Sequence, residues 1–451
     1  MIGLKEQFNT KSAEEWLADL KKELNEEDFK RLSEWNDLEG LEEHAINHSQ
    51  DLLNSFSSWQ SKSNNSSGLG DSTVGNGVRI LIEDEHEANK TALELLMKGA
   101  DYLVFDFPLS KEKCTISALF QGIQFEYIKV KFIPSKALHV EQIFEYFDGK
   151  LPQTCWFGYD HFARKEEAIF EELSKHARAK QYPFLEVNGY GIQQLGANCQ
   201  QELSFSLAVA HEYLVLLMEQ GLSVDEASAC IHFHSGVGSS FFYEIAKFRS
   251  MRLLYAKVIE VYKPEHGCST LCHISASLGY INKSVSDPDT NLLRQTTEVL
   301  SAVSAGVDSI VTHEIDHGIS EAQTKRYQRM SRNILPILQN ESKLDALFDP
   351  VAGSYLVESL TNKLCEAVWK HFQEIEGEGG IFQQNALTNF LQEHVLSTRK
   401  KRIQRLLNGT DHYIGINTLQ TEKETKIPSN SDNQYLGIPY LSLENEFNKQ
   451  A

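Results

Sequence analysis

The sequence predicts an α/β fold: a (β/α)8 TIM-type barrel with an N-terminal helical extension and C-terminal helices. Three observations predict it. Eight short β-rich runs recur between residues 78 and 313. Amphipathic helical patterns such as EANKTALELLMKGA and SLAVAHEYLVLLMEQG separate most of them, and apolar strands alternating with such helices give a parallel sheet. A set of eight favours a closed barrel over an open doubly wound sheet.

Taken in order, Ser12 and Glu15 have capping-box spacing ahead of Trp16, Leu17, Leu20 and Leu24 at helical intervals, and Phe29, Leu32 and Trp35 extend the pattern. Residues 1–60 therefore read as a helical segment with a stripe to bury. SKSNNSSGLGDSTVGNG, at 61–77, is too polar to offset its ordering entropy and reads as a linker or loop. The barrel is expected over 78–345. Its strands are VRILIED (78–84), YLVFDF (102–107), FEYIKVKF (125–132), CWFGYD (155–160), FLEVNGY (184–190), CIHFH (230–234), TLCHIS (270–275) and SIVTH (309–313). Residues 346–420 return to helices. One spans 357–376, with Val357, Leu360, Leu364, Val368, Phe372 and Ile375 on a single face, and a second spans about 386 to 407. Residues 421–451 read as a polar tail holding one apolar cluster, YLGIPYLSL.

Composition narrows the function classes. The 451 residues carry 63 acidic and 43 basic side chains, a formal net charge of -20, which opposes general nucleic-acid binding. Seven scattered cysteines do not make a secreted disulfide framework. No apolar run reaches the roughly 18 residues of a membrane span, and MIGLKEQFNTKSAEEW has no basic region leading into an apolar stretch. The expectation is a cytoplasmic protein without a membrane partner.

Several constellations could carry chemistry. His232 and His234 share one face of a strand, and His273, His313, Asp316 and His317 lie near later strands. Such a set could hold a hydrolytic zinc at a barrel mouth, giving a metal-dependent hydrolase that uses His232, His234, His273 and His313. The alternative is imidazoles hydrogen-bonded inside a polar mouth. His266, Cys268, Cys272 and His273 supply four soft ligands in eight residues, but a strand would point Cys272 and His273 to opposite faces. Gly236-Val237-Gly238-Ser239-Ser240 could hold an anion at a helix start or simply make a tight turn. RKKRIQR, at 399–405, fits the solvated end of a helix.

A run of longer segments is more specific. GYGIQQLGANCQQELSFSLA (189–208), SFFYEIAKFRSMRLLYAK (240–257), SASLGYINKSVSDPDTNLLRQTTEVLSAV (275–303), DPVAGSYLVESLT (349–361) and YIGIN (413–417) occur in the order found in the cobalamin-dependent methylmalonyl-CoA mutases. ANKTALELLMKGADYLVFDF (89–107) resembles that family's first barrel strand and its approach. The resemblance implies a barrel threaded by coenzyme A.

The departures from the pattern matter as much. The histidine that hydrogen-bonds the substrate thioester falls on Gly191, which has no donor to polarise it. The arginine for the substrate carboxylate falls on Cys272, a nearby glutamine on Ala276, and an acidic residue facing the adenosyl group on His317. No counterpart is found of the TYPTMY segment or of the DxHxxG loop that ligates cobalt; DHYIG at 411–415 has the wrong spacing. The resemblance then implies the small, non-catalytic (beta) subunit of a heterodimeric enzyme that converts methylmalonyl-CoA to succinyl-CoA. No cofactor is expected on this chain; adenosylcobalamin would reach the holoenzyme through the large catalytic subunit. The N-terminal helices would dock that partner or pack on their own barrel. A homodimer keeping a vestigial acyl-CoA pocket is the further alternative, with Tyr190, Gln193, Phe233, Ser275, Tyr280 and Asp316 as the pocket residues. Of these, Tyr190, Phe233 and Tyr280 are expected to plug the lumen.

Overall fold

The computed structural model describes residues 11–33, 38–41, 47, 74–177, 182–312, 321–344, 349–420 and 433–449. Eight parallel strands run in the order β4-β3-β2-β1-β8-β7-β6-β5. They are β1 Gly75–Leu81, β2 Tyr102–Asp106, β3 Lys129–Ile133, β4 Cys155–Phe157, β5 Leu185–Asn188, β6 Ile231–Val237, β7 Ile274–Leu278 and β8 Ser309–Val311. The cylinder closes between β4 and β5 through the bridge of Tyr159 with Leu185. There Tyr159 N–H donates to Phe184 O at 3.1 Å and Glu186 N–H to Tyr159 O at 3.0 Å. The protein is thus an α/β TIM-type barrel.

Two strand boundaries differ from expectation. Strand β1 begins at Gly75, inside the stretch read as linker, because Gly75 and Gly77 let neighbouring chains approach. A Cβ on Gly77 would lie 2.5 Å from the Tyr102 ring and 2.8 Å from the Ile310 carbonyl oxygen. Strand β7 begins at Ile274; Gly267–Thr270 form a 3-10 turn held by Asp225, which accepts from the Glu265 and His266 amides.

The helices form by local rules and bury one face. Asp84 caps α3 (Glu85–Met97), accepting from His86 N–H at 2.9 Å and Glu87 N–H at 3.0 Å. A capping box of Asn198 and Gln201 starts the helix Cys199–Glu219. Against that helix and Phe241–Val261 packs the C-terminal helix Tyr355–Gly377, whose predicted face from Val357 to Ile375 is buried. Arg249 fixes the crossing, reaching Asp349 at 2.6 Å and Glu358 at 2.9 Å. The core lies mainly between strands and helices, with Phe105, Phe120, Phe132 and Phe157 among its rings.

At the N-terminus α1 (Ala13–Glu23) and α2 (Glu26–Ser33) form, with the Ser12–Glu15 capping box in place. No described residue between Lys11 and Phe29 is buried, and Leu17 is 36% exposed; Trp35 lies outside the described residues. Residues 433–449, read from sequence as part of a polar tail, are folded. They make a hairpin of β9 (Gln434–Tyr435) and β10 (Ile438–Pro439), then a short helix, Leu443–Asn448. The second predicted C-terminal helix is also present, as Gln384–Asn389, a wider turn at Phe390–Val395 and Leu396–Leu407. Its arginines are not a free basic patch: Arg399 donates to Pro439 O, Arg402 to Gly196 O, and Arg405 pairs with Asp411. No described helix is long and apolar enough to cross a membrane.

Candidate functional site

Alternation along the strands sorts the lumen from the outer core. Tyr102 and Val104 of β2, Trp156 of β4 and Val311 of β8 form a separate cluster inside the barrel. Tyr102 stacks on Trp156 with centroids 5.3 Å apart, and His273 meets the indole edge-on at 5.0 Å. These rings make a floor. Trp156 Nε1, His232 Nδ1 and both ring nitrogens of His273 are buried with no hydrogen-bond partner among the described residues. Burial pushes His273 down to about 4, so its imidazole is neutral at ordinary pH.

Above the floor sits a buried charge pair. Lys131 Nζ lies 2.8 Å from Glu186 Oε2, with the two side chains 2% and 8% exposed. Burial alone would push the Glu186 carboxyl up, but Lys131 and the nearby imidazoles outweigh it and hold it well below the usual range. The ionised carboxylate accepts from His232 Nε2 at 3.1 Å, which leaves Nδ1 as the bare nitrogen. Burial lowers the His232 value, and Glu186 offsets part of that.

A cavity of about 540 Å³ opens above this pair, and the barrel residues that line it include Arg79, Lys131, Glu186, Asn188, Tyr190, His234 and Ser277. The C-terminal hairpin, Gln434 to Gly437, adds a wall with Tyr440. Tyr435 is 6% exposed. Its ring stands where a side chain at residue 191 would go: a Cβ on Gly191 would lie 2.6–2.8 Å from three ring carbons. The Tyr435 hydroxyl donates to Asp160 Oδ2 at 2.9 Å, and Ala163 N–H donates to Asp160 Oδ1 at 3.0 Å.

Burial pushes Asp160 up to about 6, against the hydrogen bonds from Ala163 and Tyr435 that favour the anion. A carboxyl whose folded value exceeds its unfolded one stabilises the fold below about pH 4 and loses that contribution as pH rises to about 6. The cost is about 3 kcal/mol at most. Asp160→Asn is therefore expected to flatten the stability profile between pH 4 and 6, as read by urea denaturation. An unchanged slope would refute the assignment.

The predicted site residues scatter. Tyr190 and His234 line the cavity, with ring centroids 5.6 Å apart, and His234 Nδ1 lies 2.9 Å from Ser275 Oγ beneath it. Gly191 lies under Tyr435. Gln193 does not line this cavity; its amide packs over Gly236 and borders a smaller pocket beside Glu202 and Glu244. Tyr280 sits in the loop after β7, where its N–H donates to Gln194 Oε1 at 2.9 Å.

Three expectations need correction. Phe233 is no lumen plug, because alternation sends it outward against Tyr255 at 5.0 Å; Tyr102 and Trp156 make the lumen floor and Tyr435 covers Gly191. Cys272, just before β7, and Ala276 within it join the outer core, whereas Ser275 and Ser277 face the cavity side. His232 and His273 lie at the floor near strand starts, not at the mouth, and His232 is spent on Glu186. Among the described residues no group of three His, Cys, Asp or Glu has metal-binding geometry. His313, Asp316 and His317 lie outside the described residues.

Sequence reasoning missed Lys131, Glu186, Asp160 and Tyr435. The first two carry a signal: Glu186 is the single charge of its strand, and Lys131 repeats Lys129 two places on in an otherwise apolar one. Tyr435 carries none beyond a late apolar cluster.

Residues 157–436 match the family model described as methylmalonyl-CoA mutase. The chain belongs to the methylmalonyl-CoA mutase family. Among its mutase relatives is the methylmalonyl-CoA mutase small subunit of Porphyromonas gingivalis, 33% identical over 360 residues, or 75% of this chain and 57% of that one. The methylmalonyl-CoA mutase of Rhizobium meliloti is 33% identical over 244 residues, 54% of this chain and 34% of the relative. The mitochondrial mutase of Homo sapiens is 32% identical over 280 residues, 61% and 36% of the respective chains. The chain thus spans between a third and somewhat over half of these mutases.

Proposed function

We propose that this chain is the non-catalytic small subunit of a methylmalonyl-CoA mutase and supports a large catalytic subunit that converts methylmalonyl-CoA to succinyl-CoA. The observation that carries the reading is Tyr435 seated over Gly191. The position that the family resemblance gives to a thioester-binding histidine has no side chain, and the space is taken by the chain's own phenol. The hairpin from Gln434 to Pro439 and Tyr440 stand over the described barrel mouth, which supports a chain that relies on its partner for adenosylcobalamin. In this reading the large subunit carries the cofactor, in the cytoplasm. The likeness to the small subunit of Porphyromonas gingivalis supports the assignment. So does α1, whose stripe of exposed Leu17 with half-buried Trp16 and Leu20 suits a partner's apolar surface.

The test is reconstitution. The tagged chain is expected to retain a full-length mutase chain from the same genome. The pair is expected to turn over methylmalonyl-CoA with added adenosylcobalamin, and the isolated chain to show no turnover. Activity of the isolated chain would overturn the reading. Gly191→His is expected to restore nothing, because its Cβ meets the Tyr435 ring before the imidazole can reach the cavity.

A further inference from the structure

Residues 433–449 are fastened across the barrel mouth at three points. The first is Tyr435, with its ring over Gly191 and its hydroxyl on Asp160. The second is main chain: Leu441 N–H donates to Gln194 O at 2.8 Å, Leu443 N–H to Ile281 O at 3.0 Å, and Arg399 to Pro439 O at 2.7 Å. The third is Glu444, 2% exposed, whose carboxylate accepts from Ser284 Oγ at 2.8 Å, Val285 N–H at 2.6 Å and Ser286 N–H at 3.1 Å.

We propose that this segment is a closing strap, a tethered occupant of the mouth that opens by withdrawing Tyr435 from its seat and so enlarges the cavity beneath. The strap adds no strand to the eight-stranded sheet, so it can leave while the barrel ladder stays whole. Its seats lie on the loops that follow strands, where barrel sites gather. Tyr435 caps a cavity that holds charged and hydroxyl groups, although its ring also meets Phe205 of the core at 6.4 Å. The hairpin turn also holds Leu436 at φ 50° beside Gly437 at φ 77°. A left-handed pair suits a two-residue hairpin, but leucine is costly there. That strain favours release. Glu444 acts as the latch: a carboxylate on two backbone amides and a hydroxyl makes charge-assisted hydrogen bonds that keep the far end docked.

The inference concerns how the mouth is closed. It can fail while the subunit assignment stands, since that rests on activity and capture of a partner. The experiment is hydrogen exchange on the full chain, comparing wild type with Tyr435→Phe, Tyr435→Ala, Gly191→Ala and the Tyr435→Ala/Gly191→Ala double variant. Exchange of peptides within 433–441 is expected to rise about tenfold or more in Tyr435→Ala and in Gly191→Ala, and less in Tyr435→Phe, which keeps the ring. The double variant should add nothing to Tyr435→Ala, because both lesions break one contact. Peptides of β1 to β8 should be unchanged throughout. Exchange in 433–441 that stays at the wild-type rate in Tyr435→Ala would overturn the proposal. So would a rise shared by the strands, which would make Tyr435 an ordinary core residue.

Discussion

Lys247→Met is expected to destabilise the protein by about 3–5 kcal/mol, the usual cost of removing one partner from a buried ion cluster. Lys247 Nζ lies 2.8 Å from Glu202 Oε2 and 2.6 Å from Glu244 Oε2, and it donates to Gly236 O at 2.6 Å. The lysine and Glu202 side chains are each 1% exposed and that of Glu244 is 4% exposed. Without the cation, two carboxylates share a buried site. Burial already pushes Glu202 up to about 7 despite Lys247, with Glu244 adding to the rise. Losing the lysine drives it further up. An acid raised in this way costs nothing below its unfolded value and progressively more as pH climbs to the folded one. The loss in Lys247→Met should therefore be larger at pH 8 than at pH 5.5. Adding Glu202→Gln should recover a good part of it at pH 8. Urea midpoints at the two pH values measure both effects. A loss under about 1 kcal/mol at pH 8 would mean that the cluster is wet.

Trp156→Ala should cost about 3–5 kcal/mol, through lost burial and a cavity that a closed barrel cannot collapse around. The indole is 2% exposed and holds Tyr102 and His273 in ring contact. Trp156→Phe is the informative companion. Because Nε1 has no partner among the described residues, phenylalanine removes an unsatisfied donor while keeping most of the floor. The phenylalanine variant should lie within about 2 kcal/mol of wild type, well above alanine. Equal losses for the two would show that the indole N–H is bound after all.

The barrel itself was legible because its signals are local. Valine, phenylalanine and isoleucine runs mark the strands, and the 357–376 stripe marks its helix almost to the residue. The start of the first strand is hidden because GNG ends the polar stretch that reads as linker, although here the missing side chains admit the Tyr102 ring. The site was less legible for two reasons. Period-two alternation fixes which residues face inward only once register is known, and Cys272 and Ala276 prove to face the outer core. Long-range closure leaves no local trace either: Tyr435 and Asp160 are 275 positions apart, and nothing near either one announces the other.

The join between β4 and β5 carries a consequence of its own. A hoop fastened by one narrow buckle gives way there first, and Glu186 belongs to both buckle and payload. Its amide helps clasp Tyr159 while its carboxylate steadies Lys131. Any breathing of the clasp therefore admits solvent to the charge pair through the wall as well as from the cavity, which ties the integrity of the cylinder wall to the hydration of its interior.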